Sequence, residues 1–98
     1  MPQVIFSPAA IEDLRRLHAF LKYKNPQAAQ RAITTIRESL RTLATHPHAG
    51  RPVEGMDPAF REWLIRFGHS GYIARYYLDD DNGSAIIVAI RHMREAGY

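Results

Sequence analysis

The sequence predicts an α+β fold in the order β-α-α-β-β-β, a helical hairpin packed on a small, mainly antiparallel sheet. Three observations carry this expectation. Between residues 8 and 43 apolar side chains recur every three or four positions. Between residues 60 and 90 three stretches alternate or run apolar over six to eight residues. The one long break between these regimes is HPHAGRPVEGMDP, residues 46–58, whose three prolines and two glycines end any regular element. A chain of 98 residues closes a single core, so the elements form one domain spanning 1–98.

QVIF, residues 3–6, reads as a short first strand. Ser7 then starts a helix, because its hydroxyl can accept an orphan N–H, and Pro8 is preset for the first helical position. Ile11, Leu14, Leu17 and Leu21 form an apolar stripe with Arg15, Arg16 and Lys22 off it, which predicts a helix over 8–24. Asn25 and Pro26 repeat the cap-then-proline signal, so a second helix follows at once, with Ala29, Ile33, Ile36, Leu40 and Leu43 on its inner side. Two such stripes form the seam of a nearly antiparallel helix pair. In FREWLIRF, residues 60–67, Trp63, Ile65 and Phe67 point one way and Glu62, Leu64 and Arg66 the other. GYIARYYL, residues 71–78, is a tyrosine-rich second strand, and Asn82–Gly83 suits a tight hairpin turn. AIIVAI, residues 85–90, is apolar on both faces, as a strand covered on two sides would be. The first strand lies beside this meander, and the helices cover one sheet face.

The absence of cysteine excludes disulfides, thiolate catalysis and cysteine zinc sites. No apolar run reaches the length of a membrane span, and MPQVIFSPAA lacks a signal-peptide pattern, so the chain is expected to be soluble and cytoplasmic, without membrane contact. His46 and His48 resemble half a metal site but have no third ligand at suitable spacing; no metal and no cofactor are expected. The net charge is +3, and of 13 basic residues all but Lys22 and Lys24 are arginine. Residues 1–49 hold seven basic against three acidic groups, which suits an acidic or nucleic-acid partner.

The last ten residues, AIRHMREAGY, place Arg91, His92, Arg94 and Tyr98 beyond the final strand. Arg66 and Arg75 sit mid-strand, where a charge must face solvent or a partner, so the uncovered sheet face is expected to be basic, with Tyr72, Tyr76 or Tyr77 among the arginines. Such a face is compatible with simple solvation, a protein interface or RNA. His92 with arginines offers the parts for metal-free attack by a ribose 2′-OH, but the spacing does not fix their geometry. Asp79, Asp80 and Asp81 read as solvation at a turn.

The element order, the opening SPAAIEDLRRLHAFL, the middle NPQAAQRAITTIRESLRTLATHPHAGRPV and the ending VAIRHMREAGY resemble the ParE branch of the RelE/ParE toxin superfamily over essentially the whole chain. The resemblance implies the toxin of a type II toxin–antitoxin pair, neutralised by a cognate ParD-like antitoxin that lays a helical segment over it. RelE-like members, ribosome-dependent messenger endoribonucleases, use loop and meander lysines, an arginine directly after the tyrosine of the middle strand, and an arginine and a tyrosine near the tail. Here that region has no lysine, Ile73 follows Tyr72, Met93 stands about where the tail arginine falls, and Tyr98 matches the tyrosine. The pattern is closer to ParE members, which poison DNA gyrase without chemistry of their own. The resemblance thus implies no catalytic residues, and a gyrase-binding surface at Arg91, His92, Arg94, Tyr98 and Arg75. The antitoxin is expected on a different surface, near Leu14, Leu17, Phe20 and Leu21, and DNA only through antitoxin or gyrase. Ribosome-dependent RNA cleavage is the alternative.

Overall fold

The structure, a computed structural model, describes residues 3–94. Its elements are β1 (Val4–Phe6), α1 (Pro8–Lys24), α2 (Pro26–Leu40), α3 (Thr42–Thr45), β2 (Arg51–Pro52), β3 (Phe60–Phe67), β4 (Ser70–Asp79) and β5 (Ser84–His92). They form one five-stranded sheet in the order β1-β5-β4-β3-β2, with β1 parallel to β5 and every other pair antiparallel. The two long helices lie on one face. The one-turn α3 and two-residue β2 are additions to the expected order, both too short to leave a periodic signal.

Both helix starts form as their sequences dictate. Ser7 Oγ accepts from the Ala10 N–H at 3.1 Å. Asn25 Oδ1 accepts from the N–H groups of Gln27 and Ala28, each at 3.1 Å. The Asn25 N–H meanwhile donates to the Leu21 carbonyl at 2.8 Å, so one residue closes α1 and opens α2.

Ala10, Leu14 and Leu17 of α1 and Ala32, Ile36 and Leu40 of α2 bury against Ile65, Tyr72, Ala74, Tyr76, Ile87 and Ile90 of the sheet. A fully buried leucine or isoleucine contributes about 1.5–3 kcal/mol, so this layer dominates the fold energetically. Ile11, expected in the stripe, is 48% exposed; once Leu14 and Leu17 set the phase, Ala10 takes the inward position. Leu43 is buried as expected but belongs to α3, after the chain steps out of α2 at Arg41.

β5 contains a bulge that decides where its end points. Arg75 pairs with Ala89 and Tyr76 with Ile87, leaving Val88 without an opposite residue. Without that extra residue, strict alternation from Ala85 and Ile87 would turn Arg91 toward the helices. With it, Ile90 is inward instead and His92 comes to lie beside the buried Tyr72. The expected two-sided cover of AIIVAI is not found: Ala85, Ile87 and Ile90 are buried, while Ile86, Val88 and Ala89 are only half-buried. Tyr72 and Tyr76 are likewise core residues, and of the three tyrosines expected among the arginines only Tyr77 is exposed. Even-numbered residues of β4 face the helices, which sequence alternation alone could not assign to a side.

The two-residue turn Gly68–His69 joins β3 to β4, with Gly68 at φ 60° as a II′-type turn requires at its first position. The β4–β5 connection is longer than the Asn82–Gly83 pair suggested, running from Asp79 to Ser84, with only Gly83 left-handed.

Loop 46–50 is stapled to the sheet through Tyr76. Its hydroxyl donates to the Pro47 carbonyl at 2.7 Å and accepts from the Gly50 N–H at 2.8 Å. Burial raises the Tyr76 pKa above 10.0, outweighing the lowering by the Gly50 hydrogen bond and the Arg61 charge. A folded-state pKa above the unfolded one means that the stabilisation is complete below pH 10 and lost as pH rises through the folded value. Urea unfolding is therefore expected to show stability falling above about pH 10, with a shallower fall in Tyr76→Phe; identical alkaline slopes would exclude Tyr76 as the source.

Candidate functional site

The end of β5 and the outer side of α1 enclose a groove of about 570 Å³. Leu17, Phe20 and Leu21 form one wall, Tyr72 and His92 the other, and Arg16, Lys24 and Arg94 supply positive charge. No acidic side chain lines it. Phe20 is 62% exposed, a large apolar cost to leave in water, and Lys24 Nζ sits 5.2 Å from its ring centroid. Tyr23, beside it on the last turn of α1, is 93% exposed.

His92 is held by three contacts. Its ring meets Tyr72 edge-on at 5.3 Å between centroids. Nδ1 accepts from the backbone N–H of Arg94 at 3.1 Å, so the neutral ring carries its proton on Nε2, which faces Ser70 Oγ at 3.2 Å. Both nitrogens are thereby engaged, and neither lone pair is presented to the groove as a general base. The arrangement is suited to shape and charge recognition.

Asp13 fixes the strand that carries this wall. Its side chain is 13% exposed; Oδ2 accepts from the Ile90 N–H at 2.8 Å, and Oδ1 lies 2.6 Å from Arg91 Nη1. The carboxylate thus stands in for a neighbouring strand at the point where β1 has ended. A chain-distant pairing of this kind leaves no spacing signal in the sequence. Ser70, Arg16 and Lys24 were also not singled out; the nearest sequence clue was that both lysines flank Tyr23.

The expected site residues separate into three groups. His92 and Arg94 line the groove together with Leu17, Phe20 and Leu21, so the two surfaces expected to be distinct are contiguous. Arg91 is bound to Asp13, and Arg75 is bound to Glu62 at 3.0 Å on the opposite face of the sheet, where Arg51 also approaches Glu62 at 3.6 Å. Leu14 is buried in the core, and Tyr98 lies outside the described residues. Among the described residues no group of three or more His, Cys, Asp or Glu side chains is placed to hold a metal ion, and no helix is long and apolar enough to cross a membrane.

The profile of the family described as ParE toxin of type II toxin-antitoxin system, parDE, matches residues 4–97. Toxin RelE3 of Caulobacter vibrioides is 35% identical over 95 residues, covering 97% of this chain and 98% of that protein. Among solved structures, the chromosomal ParDE toxin–antitoxin system from P. aeruginosa superposes with a TM-score of 0.74 at 21% identity, covering 94% of this chain and 96% of that one. The RelBE2 toxin–antitoxin complex from Mycobacterium tuberculosis superposes at 0.66 with 23% identity, covering 92% and 95%. These two structural likenesses show the fold.

Proposed function

The chain belongs to the ParE toxin family of type II toxin–antitoxin systems, and from that premise we propose that it arrests growth by docking on DNA gyrase and is neutralised by a cognate antitoxin. The single observation that supports docking over chemistry is the state of the groove: cations and an exposed aromatic ring surround a histidine whose two ring nitrogens are already engaged. His92, Arg94 and Tyr98 contact the target directly, whereas Arg91 and Arg75 act through the pairs that shape the sheet. Similarity to two toxin–antitoxin complexes supports an antitoxin partner. Its amphipathic helix sets apolar side chains on Leu17, Phe20 and Leu21 and acidic ones near Arg16, Lys24 and Arg94, with Leu14 supporting the wall from below. Because His92 and Arg94 belong to the same groove, the antitoxin neutralises by occupying it. DNA is reached only through gyrase or the antitoxin.

The relative named RelE3 favours a second reading, ribosome-dependent cleavage of messenger RNA. Purified chain added to a gyrase supercoiling reaction, with transcript mapping after induction in cells, separates the two. Inhibited supercoiling with intact transcripts is expected. Full supercoiling at large molar excess, with codon-linked cuts in translated messages, would replace gyrase docking by the second reading.

A further inference from the structure

The sheet presents two exposed edges, and the chain protects only one of them. Along β5, β1 covers Ala85 to Ile87 and then ends. Beyond it the Ile90 N–H is taken by Asp13, the Ile90 carbonyl accepts from Arg91 Nη1 at 3.3 Å, and the Val88 bulge interrupts the edge. Bulges and charged side chains of this kind close an edge to strand addition.

The outer edge of β3 has no such cover. β2 pairs only with Arg61 and Glu62, whereas β3 continues to Phe67. The hairpin closes on Phe67 and Ser70, so alternate residues 67, 65, 63 and 61 bond toward β4. The N–H and C=O groups of Leu64 and Arg66 therefore aim outward, and among the described residues no strand lies beside them. Neither proline nor a bulge guards this stretch, and Leu64 is 46% exposed.

We propose that this edge receives an extended segment of the neutralising antitoxin as an additional strand, hydrogen-bonded to Leu64 and Arg66. The inference rests on the antitoxin reading above but concerns a second surface, on the far side of the sheet from β5. A hollow of about 210 Å³ lies where β2 stops, bordered by Gly50, Trp63 and Leu64, and takes one apolar side chain of the incoming strand. The flanking charges are Arg51 and Arg66, while Glu62 is engaged by Arg75, so the segment carries acidic residues alternating with apolar ones.

Proline isolates the backbone contribution. The Leu64 N–H points away from β4, so Leu64→Pro removes the outward donor while leaving the β3–β4 ladder intact. Leu64→Ala removes the same side chain and keeps the donor. With each variant coexpressed with the cognate antitoxin of its locus, Leu64→Pro is expected to bind at least about tenfold more weakly than Leu64→Ala, with equal thermal midpoints for the free chains. In the wild-type complex, amide exchange at Leu64 and Arg66 is expected to slow by a factor of about ten or more relative to the free chain. Exchange alone decides the matter if the proline variant does not fold. Equal affinities, or unprotected amides in a stable complex, overturn the edge inference and leave the groove reading standing. Failure of the wild-type chain to bind the antitoxin removes both. Protection that appears in the free chain with rising concentration assigns the edge to a second copy and likewise overturns the proposal.

Discussion

Gly50→Ala is expected to destabilise the chain by about 3 kcal/mol and to lower its thermal midpoint by about 12 °C or more. A Cβ at Gly50 would collide with the Tyr76 hydroxyl and stand 2.7 Å from the backbone carbonyl of Glu62. Both neighbours are fixed: the phenol by its bonds to Pro47 and Gly50 in a fully buried ring, the carbonyl by the sheet. Arg61 adds a second tie, donating from Nη1 to the Gly50 carbonyl at 2.7 Å. The alanine must therefore lift the loop and leave Tyr76 and Arg61 without their carbonyl acceptors. Gly55 provides the contrast, with nothing within 4 Å of its would-be Cβ and only its φ of 80° to strain. Gly55→Ala should cost about 1 kcal/mol. Thermal or urea unfolding of the two variants checks this; comparable losses would mean that the loop is not held as the structure shows.

The second large effect is functional and concerns Lys24 and Arg94. Both line the groove, from the end of α1 and from the residues just after β5, and no carboxylate shares that lining. Reversing both charges changes the sign of that end of the groove while removing none of the buried apolar contacts. Steering and recognition of an acidic surface then turn into repulsion. Growth arrest on induction is expected to fall at least about a hundredfold in colony count, a loss on the scale of two desolvated charge contacts. Phe20→Ala, which removes the exposed ring, is expected to weaken antitoxin binding along with toxicity, because both partners use one groove.

The helices were legible because their signals are local. Ser7–Pro8 and Asn25–Pro26 mark both starts, and the caps form at those residues. The meander was legible for the same reason, from alternation in 60–67 and the tyrosine-rich strand after it. The side to which each strand turns was less so. Nothing in AIIVAI announces the Val88 bulge, yet that one residue decides that His92, and not Arg91, joins the groove. Tyr72 and Tyr76 were expected on the open face because tyrosine suits both a core and an interface; the register against β3, visible only in three dimensions, places them inside. Asp13 was invisible because its partners, Ile90 and Arg91, lie more than seventy residues away. The contiguity of the groove residues has the same origin: Phe20 and Arg94 meet only because α1 crosses the end of β5.

Gyrase supercoiling measured with equal amounts of wild-type chain and the Lys24→Glu, Arg94→Glu double variant, both folded by their thermal midpoints, is the most direct test of the groove as the toxic surface. Inhibition by the wild type and its loss in the double variant is the expected result. Equal inhibition by the two proteins would contradict it and move the site elsewhere on the chain.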